Sequence, residues 1–415
     1  MRIGIYFTPN KEQGGVYQYC LALLESLEKI PGHNYIIIST SKDIPSKYSR
    51  LKNFQVINMY TRTHEISLKT RDFISNSLAV LAPKFINALF KLNLFGLLTP
   101  IYRVTDAPQI KVIEEQNLDL VFYPTSSNLS FLASPSAVVA IHDFAHRVYP
   151  TRFAEVSAGG RWEHREYGFS SIARKAFKVL VDSQVGREDM INYYHTPPEK
   201  VVPLPFLPPS YLDPNPSRQE IARVKKSLHL PNQYIFYPAK FWPHKNHINL
   251  VKAIHLLNQK KIKVNLILTG AKEADFSSFD EVMGLVKQFH LEDQVKFLGY
   301  VGSDQISVIY KLAEALVMPT YFGPTNIPVL EAWVMGTPVV YSNIRGCRDQ
   351  LGDAGLLVNP DNPQDISDKI AKVYGNEKLK RNLAQKGYRR LKIWTPVDFT
   401  KRVASIVQEF AGQMV

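Results

Sequence analysis

The strongest constraint on what this chain can fold into is a pattern that runs through it twice. Short apolar runs rich in β-branched residues recur with helix-length segments between them, at 2–7, 35–39, 55–59, 120–123, 138–142, 179–182 and 201–204. The pattern restarts at 234–237, 264–269, 295–298, 315–318, 339–341 and 356–358. Several runs are almost wholly apolar, as central parallel strands covered by helices on both faces must be. Alternation of this kind predicts an α/β fold with a doubly wound, Rossmann-like sheet, here repeated in a second domain.

The seam between the repeats is visible in "VVPLPFLPPSYLDPNPSRQE", where six prolines fall between Pro203 and Pro216. Proline lacks an amide donor and fixes its own φ, so the stretch predicts an extended linker with little regular structure. The expected organisation is a first domain over 1–205, a Pro-rich linker over 206–232 and a second domain over 233–390. The segment 391–415 follows, with helical apolar spacing at Phe399, Val403, Ile406, Val407 and Phe410, and is expected to pack back on the first domain.

With 45% hydrophobic and 21% charged residues the composition is that of a globular protein. The formal net charge of +13 favours anionic partners such as nucleotides, nucleic acid or an acidic membrane surface, or reflects a solvated basic exterior. No long basic run and no RNA-binding signature accompany the 21 Tyr and 22 Phe, which excludes nucleic acid as the expected partner. Two cysteines, Cys20 and Cys347, lie far apart without ligand spacing, which points to a reducing compartment and no zinc site. A strand at the very start leaves no room for a signal peptide, so the expected location is cytoplasmic. The most apolar region, Ser75 to Tyr102, is broken by Pro83, Lys84 and Lys91 and falls short of the roughly 18 residues a membrane span needs. It reads either as a buried helix pair or as an amphipathic edge making peripheral contact with an anionic membrane.

Four places carry chemical content. Gly14 and Gly15 stand between the first strand and a helix, where their bareness lets backbone amides approach an anion or simply makes a tight turn. The segment is neither G-x-G-x-x-G nor a P-loop, which argues against nicotinamide and ATP chemistry. His142 ends a strand at the edge that faces the ligand in doubly wound folds, and either meets a substrate hydroxyl or is satisfied by backbone. "YPAKFWPHKNHINL" places Lys240, Lys245 and Asn246 beyond a strand and before a helix; two ammonium groups there hold a diphosphate, or are surface lysines. In "PTYFGPTNIPVLEAWVMGTPVV", Glu331 is expected in the first turn of a helix opened by Pro328, behind a Gly/Pro/Asn loop. There it either steadies the helix dipole or accepts hydrogen bonds from a pair of sugar hydroxyls.

In that order, these features resemble the retaining glycosyltransferases of family GT4, whose two-domain GT-B fold sets two Rossmann-like domains facing each other across a cleft. The resemblance covers nearly the whole chain: the Gly-Gly loop, His142, "DSQVGREDM", the basic loop, "VKFLGYVGSDQISVIYKLAEALVMPTYFGPTNIPVLEAWVMGTPVV" and the closing helix. It implies a nucleotide-diphosphate sugar bound by the second domain and an acceptor bound by the first, with no further cofactor. Lys240 and Lys245 match the pair that grips the diphosphate, Lys240 standing where Arg is usual. Glu331 matches the second glutamate of the Glu-x7-Glu motif, which takes the ribose hydroxyls. The first would fall at Gly323, so Gly323, Pro324, Thr325, Asn326 and Ile327 are expected to hold the transferred sugar by backbone amides and the Thr325 and Asn326 side chains. Tyr300 and Val301 match the nucleobase contact, and Gly15 and His142 match positions near the diphosphate and the transferred sugar.

What the resemblance implies is a hexosyltransferase of cell-surface polysaccharide synthesis; with no Asp-x-Asp motif near the donor loops, lysines and helix dipoles are expected to stand in for a divalent cation. Its donor is GDP-mannose first, with UDP- or dTDP-sugars as alternatives, and its acceptor is a glycan or lipid-linked saccharide. A nucleotide-sugar 2-epimerase or a phosphorylase-like enzyme on the same fold is the alternative, since fold does not fix function. A non-catalytic glycan-binding protein is a third reading.

Overall fold

The computed structural model describes residues 1–11, 14–59, 92, 97–272 and 276–414. The chain divides into two compact units, Met1–Pro205 together with Pro396–Val415, and Phe206–Thr395.

Seven strands build the sheet of the first unit: β1 (Arg2–Phe7), β2 (Asn34–Ser39), β3 (Phe54–Asn58), β4 (Leu120–Tyr123), β5 (Ser136–Ile141), β6 (Lys178–Val181) and β7 (Val201–Pro203). Their order is β3-β2-β1-β4-β5-β6-β7, and every pairing is parallel. The apolar runs explain this: residues such as Ile3, Ile5, Ile37, Val121, Val139 and Val179 are buried from both faces by helices. The helix Gly15–Glu28 presses Tyr19, Cys20, Leu23, Leu24 and Leu27 onto the sheet.

The second unit repeats the plan with six strands, β8 (Ile235–Pro238), β9 (Leu266–Thr269), β10 (Val295–Phe297), β11 (Ala315–Met318), β12 (Val339–Ser342) and β13 (Leu356–Val358). The order is β10-β9-β8-β11-β12-β13, again all parallel. In both sheets the strand order reverses at one place, between β1 and β4 and between β8 and β11. Doubly wound sheets bind ligands just outside the carboxyl ends of the strands at such a switch point.

Two sequence expectations need correction or restriction. The stretch read as linker is not irregular throughout, because the helix Arg218–Ser227 forms inside it. Its start carries a capping box, Ser217 Oγ accepting from the Glu220 amide at 3.2 Å and Glu220 Oε2 accepting from the Ser217 amide at 2.9 Å. The proline density that suggested a linker ends just before that cap. The reading of Ser75–Tyr102 falls mostly outside the described residues; of those described, Leu92, Leu97 and Ile101 are exposed and Leu98 is buried.

The closing helix Pro396–Gln413 buries Phe399, Val403, Ile406, Val407 and Phe410. It lies against the helix Gly15–Glu28, with the Phe399 ring edge-on to Tyr19 at 6.0 Å and Thr400 hydrogen-bonded to Ser26 at 3.1 Å. Among the described residues no helix is long and apolar enough to cross a membrane.

Candidate functional site

In the first unit, Gly14 holds φ at +55° and caps the helix Gly15–Glu28, its own amide bonded to the Lys11 carbonyl at 3.1 Å. His142 follows β5 directly. Its Nε2 lies 2.8 Å from the Pro124 carbonyl at the end of β4, so that nitrogen carries the proton, and Tyr19 packs edge-on at 4.9 Å. Burial lowers the His142 pKa, the Pro124 hydrogen bond opposing it, so the ring stays neutral at pH 7.

In the second unit, the loop after β8 carries the two lysines. Lys240 Nζ sits 5.3 Å from the Trp242 ring centroid, and Lys245 ends a 3-10 turn over Pro243–Lys245. Asn246 takes the left-handed conformation, φ +62°, and caps the helix His247–Gln259. Its side-chain nitrogen is engaged elsewhere, Nδ2 donating to the Pro319 and Pro360 carbonyls at 2.9 and 2.7 Å. Asn246 therefore ties this loop to those after β11 and β13. The loop has an aromatic floor, His247 lying between the Tyr237 and Phe241 rings at 4.8 and 4.3 Å.

The loops after β8 and β11 are fastened together. Tyr321 donates its amide to the His244 carbonyl at 2.8 Å, Thr320 Oγ1 donates to the same oxygen at 3.2 Å, and the His244 and Phe322 rings stack at 3.8 Å. Gly323 has φ +106°, and a Cβ there would come within 2.8 Å of Asn326 Nδ2. This backbone suits glycine and strains any residue that carries a Cβ, a glutamate included.

Asn326 corrects an expectation. Its Nδ2 donates to the Gly323 carbonyl at 2.9 Å and to Tyr341 Oη at 2.6 Å, and its amide donates to Gln350 Oε1 at 2.9 Å. The side-chain and backbone donors expected to grip a sugar instead hold the loop in shape. Thr325 and Pro324 remain half-buried beside it, while Ile327 is buried at the start of the helix.

Glu331 also departs from the sequence reading. The helix runs Ile327–Met335, so Glu331 is in its second turn, beyond the first-turn reach of the dipole. It is 5% exposed, and both carboxylate oxygens are engaged: Oε2 accepts from the Tyr310 hydroxyl at 2.6 Å, Oε1 from the Tyr211 hydroxyl. Burial raises its pKa, while the two phenols pull it back down. Tyr300 and Val301 follow β10, Tyr300 being 72% exposed. Sequence reasoning missed Tyr211, Tyr310, Tyr341 and Gln350; an aromatic set among prolines was the one available signal, and it concerned Tyr211 alone.

Residues 218–390 match the family model of glycosyl transferases group 1. The O-antigen chain mannosyltransferase B of Escherichia coli is 27% identical over 236 residues, which make up 56% of this chain and 60% of that protein. The chain thus matches less than two thirds of that relative's length. An uncharacterized glycosyltransferase of Methanocaldococcus jannaschii is 22% identical over 98% of this chain and 97% of its own. Among solved structures, Anabaena HepE in complex with UDP and glucose superposes with a TM-score of 0.69 at 17% identity, covering 99% of this chain and 100% of its own. The chain has the GT-B fold.

Proposed function

We propose that this protein is a retaining hexosyltransferase that moves a sugar from a nucleotide-diphosphate donor, GDP-mannose in the first instance, to a glycan or lipid-linked acceptor in cell-surface polysaccharide synthesis. The observation that carries the reading is the loop after β8, where Lys240 and Lys245 stand at the switch point of the second sheet on a packed aromatic floor. The family match over 218–390 and the similarity to an O-antigen mannosyltransferase support the choice of class and sugar.

The chemistry follows from charge. Breaking the anomeric C–O bond leaves positive charge on the sugar ring and negative charge on the departing diphosphate. The two ammonium groups stabilise that negative charge, and charge stabilisation of this kind usually lowers the barrier to group transfer more than any other effect. Lysine does this as a point charge and needs no planar fork. Glu331 accepts the ribose hydroxyls, and the exposed Tyr300 with Val301 meets the nucleobase. In a front-face reaction the leaving phosphate oxygen takes the proton of the acceptor hydroxyl as the new glycosidic bond forms, so no enzyme carboxylate becomes glycosylated. Donor grip by lysines in place of a divalent cation belongs to the same proposal, as does a cytoplasmic protein working at the inner face of a membrane, favoured by the net charge of +13.

The test is nucleotide release from a panel of GDP-, UDP-, dTDP- and ADP-sugars, with and without EDTA. A transferase turns over one donor slowly without acceptor, and EDTA leaves that rate unchanged. An epimerase converts the donor without releasing nucleotide. Lys245→Ala is expected to lower turnover at least a hundredfold, the scale of one lost transition-state charge contact. Turnover within a few-fold of wild type removes Lys245 from the site.

A further inference from the structure

The carboxylate of Glu331 is not waiting empty for a ligand. One of its two phenol partners, Tyr310, is 0% exposed on the helix Ser303–Leu312, and its backbone carbonyl accepts from Thr337 Oγ1 at 2.6 Å. That partner has nowhere to go. The other, Tyr211, is 38% exposed and sits in a turn of the irregular stretch before the helix Arg218–Ser227. The chain is fastened immediately after it: Asp213 donates its amide to Ser307 Oγ at 3.1 Å, and Lys311 Nζ donates to the Pro214 carbonyl at 3.1 Å. Tyr211 is therefore the partner that can leave while its attachment stays in place.

We propose that Tyr211 is a latch on Glu331, occupying one carboxylate oxygen with its phenol until a ribose hydroxyl of the nucleotide replaces it. The inference rests on the reading that Glu331 takes the donor's ribose. The exchange is one hydroxyl donor for another on the same acceptor oxygen, so the buried carboxylate never stands without a partner, which is the expensive state for such a group. The cost of the latch is borne by the nucleotide, since each binding event must break the Tyr211–Glu331 bond. Tyr211 thus tunes how tightly nucleotide and product are held.

The experiment is calorimetric titration of the full-length protein with GDP, UDP and their 2′,3′-dideoxy counterparts, using wild type, Tyr211→Phe and Tyr310→Phe. Tyr211→Phe keeps the ring and removes the competing hydroxyl, so it is expected to bind the preferred ribonucleotide about tenfold tighter, equivalent to about 1.4 kcal/mol. Tyr310→Phe is expected to give no gain, and the dideoxy ligands are expected to gain nothing from either change. Unchanged or weaker ribonucleotide binding by Tyr211→Phe overturns the latch. An equal gain for ribo- and dideoxynucleotides overturns it as well, because the ribose hydroxyls would then not be what replaces the phenol. If wild type and both variants bind no nucleotide, the donor-site reading itself falls and the latch falls with it.

Discussion

His247 gives a prediction whose size comes directly from its surroundings. It is 1% exposed, stacked between Tyr237 and Phe241 at the first position of its helix, and both ring nitrogens are buried without a hydrogen-bond partner. Burial, with Lys245 and His244 adding like charge, pushes its pKa from 6.5 down to about 3. The sign follows from which state binds the proton. Below pH 6.5 the unfolded chain protonates this residue while the folded protein does not, so stability present above 6.5 is lost as the pH falls. By pH 5, 1.5 units below the unfolded pKa, the loss is about 2 kcal/mol at roughly 1.4 kcal/mol per unit. His247→Phe keeps the aromatic stack and removes the titrating group. The melting temperature of the variant should therefore gain on that of wild type by about 4–8 °C between pH 7.5 and pH 5, the shift expected for a unit of this size. Scanning calorimetry of both proteins across that range is the assay. A gap between them that stays constant with pH would refute the account of His247 as a neutral, unpartnered ring beneath the lysine loop.

Two further outcomes test other parts of the structure. Gly323→Glu supplies the glutamate that the motif usually carries, yet at φ +106° with a Cβ 2.8 Å from Asn326 Nδ2 it should destabilise the second unit by about 1–3 kcal/mol and give no faster transfer; a variant as stable as wild type, or faster, contradicts the role given to that backbone. Phe399→Ala removes a 0% exposed ring from the closing helix and should cost about 3–5 kcal/mol in the transition of the first unit, leaving the second unchanged by calorimetry.

The strands were legible because parallel strands covered on both faces must be apolar along their whole length, so runs such as Ala315–Met318 and Leu356–Val358 stand out without any alignment. The helix Arg218–Ser227 was hidden by the prolines ahead of it, although its Ser217/Glu220 cap was readable. The lysine loop could be found because its charges are close in sequence. The surroundings of Glu331 could not, because Tyr211 reaches it across 120 positions and Tyr310 from another helix. Local pattern shows which groups a loop offers; it does not show which are already spent holding the loop, as Asn326 and Asn246 are.

The return of the chain at Pro396 has a practical consequence. Because the first unit is closed by its own last helix, residues 206–395 are an insertion within it and not a second bead on a string. A graft of a relative's equivalent of residues 206–395 would have to be spliced at two junctions, near Pro205 and near Pro396. The reward is that the whole second sheet can be exchanged, while the core formed by Tyr19, Leu23 and Phe399 is never cut.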